Sequence, residues 1–424
     1  MARRQVSWFT AGAMALLAAC SGGSTGAPVE STEVTAPAAT TLPPDRVLRI
    51  GLLLPATGAG ATLGTSLSAG ARLAIDEINA GGGVLHHDVE LREADEGADG
   101  TSGAAGLGKL LDEGVDAIVG PASSRVAFEI LGRAVRARVA VCSPANTAIG
   151  LTSFPDQDLY FRTMPSDALE AETLAQRVEE TGETSAAVVA PDDDFGAAYA
   201  EALGTALRSR GITVTASVRF DPEESGTVDD VAQRVVDSKP ANIVVIGSGD
   251  SGAAMLAAVR QLDAAIPVFV NDDFRSPTVV SALGERAPEV LHGVLGAAPA
   301  ADPASSSFRN AFASTWPAIS DDFAAYAYDC VNLIATAAAA ADSDAAVQFV
   351  TQLTDISNGG DQCRTVADCT AQLALGHNIN LEGASGPLDL SRRGDVLPGR
   401  PYQRFSFDER GTPVNDSAAG DTAA

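Results

Sequence analysis

Residues Ile50 to Val84 read as a buried strand, a turn of small residues and a long amphipathic helix, and this unit restricts the fold classes open to the chain. Ile50 and Leu52–Leu54 form a short apolar run that stops at Pro55, the pattern of a strand covered on both faces. The residues after it are small, which lets a ligand approach the backbone. From Leu67 the apolar positions Leu67, Ala71, Ala74, Ile75 and Ile78 recur at helical spacing, with Arg72, Asp76 and Glu77 opposite them. Gly81–Gly83 then end the helix.

The same alternation continues downstream. Val47–Leu54, Val89–Arg92, Ala117–Val119 and Val139–Cys142 read as strands, with helices over Leu67–Ala80, Ser102–Glu113 and Ser124–Arg138 between them. A second unit follows Tyr160-Phe161-Arg162, with helices Asp167–Thr181, Phe195–Arg210, Val228–Ser238 and Gly252–Asp263. Its strands are Ala186–Ala190, Thr213–Arg219, Ile243–Ile246 and Pro267–Val270. From Gly293 the pattern is mostly helical, through Ser305–Thr315, Phe323–Ala341 and Ala345–Ile356, before the strand-like Tyr402–Phe407. The periodicity therefore predicts α/β architecture: two doubly wound parallel-sheet lobes and a helical annex. At 424 residues, 46% of them hydrophobic, the chain is long enough to bury more than one core.

The first twenty residues, MARRQVSWFTAGAMALLAAC, place Arg3 and Arg4 ahead of an apolar stretch that is well short of the ~20 residues a membrane-spanning helix requires. They read as an export signal. The ending Leu17-Ala18-Ala19-Cys20 resembles a lipoprotein cleavage box, which makes Cys20 the expected lipid-bearing first residue of a protein anchored outside the cell membrane. Residues 21–45 are rich in Ser, Thr, Pro and Ala, too poor in apolar side chains to fold, and read as a disordered tether; 416–424 read as a disordered tail. The net charge of −27 opposes binding to nucleic acid. Of the remaining cysteines, Cys363 and Cys369 bracket a short segment that a disulfide would close. Cys142 and Cys330 are left open between pairing and separate thiols.

In open α/β sheets, ligands bind beyond the carboxyl ends of the strands, so the loops there carry the functional signal. Gly120-Pro121-Ala122-Ser123-Ser124 and Ser143-Pro144-Ala145-Asn146-Thr147 are two such loops. The first opens a helix, where free backbone N–H groups and two hydroxyls suit a carboxylate, although Ser123 and Ser124 also fit as plain helix caps. Pro191-Asp192-Asp193-Asp194-Phe195-Gly196 and Asn271-Asp272-Asp273-Phe274 are the counterparts in the second unit.

The opening stretch with its DEINAGGGV helix end, the GPASS and SPANT loops and the late GPLDLSRRGD together resemble the bacterial extracytoplasmic solute-binding proteins of the leucine/isoleucine/valine-binding type. The resemblance runs from about Val47 to Gly411 and implies the type 1 periplasmic binding fold, two lobes joined by a three-strand hinge. It divides the chain into a first lobe of 46–162 and 293–398 and a second of 163–292 and 399–415, with crossovers near Arg162, His292 and Gly399. The implied function is capture of an amino acid, branched-chain or a similar small zwitterion, for an ABC importer whose permease and ATPase are separate proteins. By position, Ser124 and the backbone of Ala145 with Thr147 would hold the ligand carboxylate, with Ser123 beside them and Thr147 also near the amine. Phe195 would close over the ligand, and Asp272, or Asp273, would pair its ammonium. Leu63 stands where some relatives carry an aromatic, leaving an aliphatic wall. Amides, urea and short peptides are alternative ligands, and a sensing lipoprotein is an alternative role.

Other motifs point elsewhere. Gly247-Ser248-Gly249-Asp250-Ser251-Gly252 matches the dinucleotide fingerprint GxGxxG, but an exported protein has no nicotinamide cofactor available, so the loop is expected to border the cleft with Asp250 as a contact. Gly249-Asp250-Ser251-Gly252 resembles a serine-protease nucleophile segment, yet His86, His87, His292 and His377 sit in no partner motif. A secreted enzyme using Ser251 is thus the weaker alternative. No catalytic residue, cofactor or metal is expected; Asp192–Asp194 lack the spacing of a calcium loop.

Overall fold

The computed structural model describes residues 44–58, 60–302, 304–397 and 402–416. Cys20, the leader 1–20, most of the 21–45 tether, the crossover at Gly399 and residues 417–424 lie outside the described residues. The chain begins with β1 (Arg49–Leu54), α1 (Ala61–Ala80), β2 (Glu90–Asp95), α2 (Gly100–Asp112), β3 (Ala117–Val119), α3 (Ser124–Ala137), β4 (Ala140–Ser143) and β5 (Tyr160–Arg162). It continues with α4 (Asp167–Glu179), β6 (Ser185–Pro191), α5 (Asp194–Ser209), β7 (Thr213–Phe220), α6 (Val228–Asp237), β8 (Asn242–Val245), α7 (Gly249–Leu262), β9 (Val268–Val270), α8 (Pro277–Leu283) and β10 (Leu295–Pro299). Helices Ser306–Thr315 and Ala324–Ala341 precede β11 (Asp361–Cys363), β12 (Ile379–Gly383) and β13 (Gly386–Pro387), and β14 (Tyr402–Phe407) and β15 (Pro413–Asn415) close the chain.

The strands form a parallel first sheet, β2-β1-β3-β4-β5, and a second sheet, β15-β14-β10-β9-β8-β6-β7, parallel except at β14 and β15; β11-β12-β13 make a small third sheet. Both large sheets are covered on two faces, which accounts for apolar runs without a polar stripe. In β1, Ile50, Leu52 and Leu54 face a core shared with α1 and helix Ala324–Ala341, while Leu53 faces the opposite core with Leu107 and Leu110 of α2. In β6, Ala187 and Val189 face one core, and Ala186, Val188 and Ala190 the other. This period-two partition is the structural content of a doubly wound sheet.

Helix α1 starts at Ala61, six residues before its apolar pattern begins at Leu67. Its first turns carry small residues because they lie under the end of β1: a Cβ on Gly64 would sit 1.8 Å from the carbonyl oxygen of Pro55.

The return from the second sheet corrects the expected boundary. Leu295–Pro299 pairs in parallel with β9 and antiparallel with β14, so the chain leaves the second sheet after Pro299, not near His292. Gly296, Ala297 and Ala298 lack the β-branched signature of a strand. Gly296 has no room for a side chain because the Phe405 ring packs onto it, where a Cβ would approach to 2.1 Å.

Two disulfides lie in the first-sheet region. Cys363 bonds Cys369, and Cys142 bonds Cys330, a pair the sequence left open. Cys142 is on the face of β4 that packs against helix Ala324–Ala341, which carries Cys330, so strand alternation brings the two thiols together.

Candidate functional site

The two sheets meet where the chain crosses from β5 to α4. Arg162, fully buried at the end of β5, donates from Nε to Asp395 Oδ1 (2.6 Å), from Nη1 to the carbonyls of Asn146 (3.2 Å) and Ala148 (3.0 Å), and from Nη2 to Thr152 Oγ1 (2.9 Å). It thereby fixes the loop after β4 against the late segment Leu390–Val396. Four residues on, Ser166 caps α4 and accepts from the Ala168 N–H (3.3 Å), while its carbonyl accepts from the Tyr402 hydroxyl (2.8 Å). Near the same junction α5 packs against the 3-10 turn Ile149–Ser153.

Asp167 and Glu170, in the first turn of α4, are buried. The Asp167 N–H donates to the Thr147 carbonyl (2.9 Å), and its carboxylate accepts from the Thr147 hydroxyl. Glu170 Oε1 accepts from the Asp272 N–H (2.8 Å), which ties α4 to the 3-10 turn Asp272–Arg275 after β9. Asp273 accepts from Asn271 Nδ2 (3.1 Å), and Asn271 Oδ1 accepts from the Gly247 N–H (3.0 Å). Asp272 and Asp273 are half-buried and keep the cluster open to solvent.

The electrostatics follow from burial. Desolvation raises the Asp167 carboxyl to about 7, against the pull of Arg162 and the Thr147 hydroxyl. Desolvation, then the repulsion of neighbouring carboxylates, pushes Glu170 and Asp272 well above the ordinary carboxylate range, and desolvation raises Asp273. Glu170 Oε2, Asp167 Oδ2 and the Tyr199 hydroxyl have no hydrogen-bond partner among the described residues. Tyr199, buried on α5, feels the charges of Glu170, Asp167 and Asp272. Buried acceptors of this kind cost free energy until a donor reaches them.

Of the residues expected to bind ligand, the structure brings Thr147, Asp272 and Asp273 together at this cluster. Phe195, in the first turn of α5, is half-buried with its ring 5.8 Å from that of Tyr199, which links it to the same group. Ser123 caps α3 and accepts from the Val126 N–H (3.4 Å), the cap its position also allowed. Ser124 accepts from the Ala148 N–H (3.4 Å), and the Ala145 N–H reaches Ser143 Oγ (3.3 Å). Leu63 leans on the first-sheet core. Asp250 is exposed and lines a pocket of about 460 Å³ between α7 and α8 with Leu283 and Arg286.

Three buried acids at these loops, Asp167, Glu170 and Glu96, escaped the sequence reading. Asp167 and Glu170 stand where acids normally begin a helix, so nothing in their spacing marks them as buried. Glu96, which follows β2, accepts from the Ala122 N–H at Oε2 and the Ser123 N–H at Oε1, both at 2.7 Å. Its carboxylate fills the anion position that the GPASS loop offers, and burial raises its carboxyl despite those two bonds.

A family model described as periplasmic binding protein matches residues 47–363. The Leu/Ile/Val-binding protein BraC3 of Rhizobium johnstonii is 30% identical over 241 residues, 56% of this chain and 64% of that protein. Leu/Ile/Val-binding protein homolog 3 of Brucella melitensis is 27% identical over 226 residues, 53% of this chain and 60% of that protein. The chain thus spans less than two thirds of the length of these two relatives. Among solved structures, the isoleucine complex of the branched-chain amino acid transporter substrate-binding protein LivJ from Streptococcus pneumoniae aligns with a TM-score of 0.62 at 20% identity, covering 87% of this chain and all of that one. A leucine-binding protein LivK from Thermotoga maritima aligns with a TM-score of 0.66 at 19% identity, covering 88% and 98%. These likenesses show a shared fold, the type 1 periplasmic binding fold.

Proposed function

Because the chain belongs to the periplasmic binding protein family, we propose that it is the extracytoplasmic solute receptor of an ABC importer, closing its lobes on a small amine-bearing solute of the amino-acid kind. The observation that carries this reading is the meeting of Thr147, Asp167, Glu170 and Asp272, from loops and a helix start at the carboxyl ends of strands in both sheets, around acceptors that lack donors. An ammonium supplies three N–H donors and a positive charge to such a place. Only a ligand touching both lobes favours the closed form, so differential affinity drives hinge closure. Phe195 presents a ring to the amine, and the Ser124 hydroxyl keeps a proton to donate to an anionic end of the ligand.

The first lobe then comprises residues 46–162 and 300–397, and the second 163–299 and 402–415. Cys20, lipidated after cleavage of residues 1–20, would tether the receptor to the outer face of the membrane, where a separate permease with its ATPase receives the closed form. The family is one of binding proteins, and neither a cofactor nor a catalytic residue enters this reading.

Calorimetric screening of protein stripped of ligand by unfolding and refolding tests it. At least one small amino acid, amide or related amine should bind at micromolar or tighter affinity, and Asp272→Ala should weaken that binding by ~2 kcal/mol or more. Turnover of a solute, or scattering curves that show no compaction with any bound solute, would refute the receptor reading.

A further inference from the structure

We infer that the preferred ligand carries a net positive charge, as a basic amino acid or a diamine does, and is not a neutral-side-chain zwitterion. The inference deepens the receptor reading and rests on it. Two independent observations lead to it, one from each half of the site.

On the acidic half, Asp167, Glu170, Asp272 and Asp273 lie within electrostatic reach of one another. Two arginines act on this group. Arg162 is committed to Asp395 and three other oxygens, and Arg275 stands 5.6 Å from the Phe405 ring centroid. The buried Tyr199 hydroxyl, a neutral group, has no partner and faces the same charges, as do the free oxygens of Asp167 and Glu170. An ammonium or a guanidinium brings both a positive charge and N–H donors to such oxygens.

On the opposite half, several of the donors that a ligand carboxylate would use are already engaged. Glu96 takes the Ala122 and Ser123 N–H groups, Ser143 Oγ takes the Ala145 N–H, and the Thr147 hydroxyl turns to Asp167. Of the expected set, the hydroxyl protons of Ser123 and Ser124 and the Thr147 N–H have no acceptor among the described residues. A zwitterion adds one negative charge for each positive one and so leaves the excess of carboxylates uncompensated. A ligand with a second ammonium or a guanidinium offsets two of them and supplies donors to the orphaned oxygens.

The test is calorimetry on the full chain, stripped of ligand and refolded, with L-leucine, L-lysine and 1,4-diaminobutane at neutral pH and physiological salt. L-lysine or the diamine should bind at least about tenfold more tightly than L-leucine. L-leucine binding as tightly as either, or more so, overturns the charge inference and leaves the receptor reading standing. No binding of any of the three overturns the charge inference, and the receptor reading falls with it only if the wider screen also finds no ligand. In Glu170→Gln, whose side-chain oxygen can still accept from the Asp272 N–H, the preference for L-lysine over L-leucine should shrink by at least about fivefold. A thermal melt confirms that the variant is folded, and an unchanged ratio in folded variant also overturns the inference.

Discussion

The buried acids make the stability of the ligand-free protein depend on pH, with a sign opposite to that of a salt-bridged carboxylate. Asp167 titrates near 3.8 when exposed and at about 7 in the folded protein. Between those values the native state holds a proton that the unfolded chain has lost, so stability falls as pH rises through the folded pKa. For this residue alone, raising the pH from about 5 to about 8 removes on the order of 2.5 kcal/mol. Repulsion among the other acidic residues of a chain with 55 of them acts in the same direction, so the parent's slope by itself does not isolate the site. Asp167→Asn does: an asparagine oxygen still accepts from the Thr147 hydroxyl, while the titration is gone. Urea unfolding of parent and variant from about pH 3 to 8 should give curves that coincide at the acid end, separate between about pH 4 and 7 and keep a constant gap beyond, with the variant the more stable. Parallel curves would show that Asp167 ionises normally and that the cluster is not the desolvated site described above.

Arg162→Met should cost about 3–5 kcal/mol in urea unfolding, because it leaves Asp395 and two loop carbonyls without their buried cation; a loss below ~1 kcal/mol would show that the loop after β4 is held by other contacts. Replacing Cys142 and Cys330 together by serine opens a link between residues 188 apart in sequence and should lower stability by about 2–4 kcal/mol, a loss that reductant reproduces in the parent and not in the variant. Phe195→Ala should weaken amine binding by ~1 kcal/mol in calorimetry without a comparable fall in melting temperature, since its ring is half-buried on Tyr199 and not part of the deep core.

Legibility in the sequence followed the number of covered faces. Strands β1, β3, β6 and β8 have apolar residues on both sides, and their positions are plain in the amino-acid order. So are the helices whose one apolar stripe meets a sheet, such as α3 with Val126, Ile130, Leu131 and Ala134. Segments shaped by close approach to another part of the chain were not legible. Leu295–Pro299 lacks β-branched residues and its Gly296 is held side-chain-free by Phe405, and Tyr160–Arg162 is too short to show a period. The site divides in the same way. Loops at strand ends are marked by turn chemistry, and within them the resemblance to solute-binding proteins pointed to Thr147, Phe195 and Asp272. Burial of a charge is a tertiary fact: Asp167 and Glu170 have the spacing of any solvated helix start, and only the return of β9 and α5 onto α4 turns them into desolvated acceptors.

That distinction bears on the selectivity proposed above. Strand-end loops in an open α/β sheet mark where a ligand can sit, whereas selectivity depends on which donors and acceptors the fold leaves unspent once the loops have closed on themselves. Here Glu96 consumes donors on one side, and Glu170, with Tyr199 above it, keeps acceptors open on the other. If Glu170 holds its raised carboxyl by contact with the ligand position, a cationic ligand must displace its proton on binding. Calorimetry in buffers of different ionisation enthalpy should therefore record proton release near neutral pH, and Glu170→Gln should reduce it. Equal heats in all buffers for the parent would mean that the acids are already ionised in the empty cleft, and the desolvation argument for this site would fail.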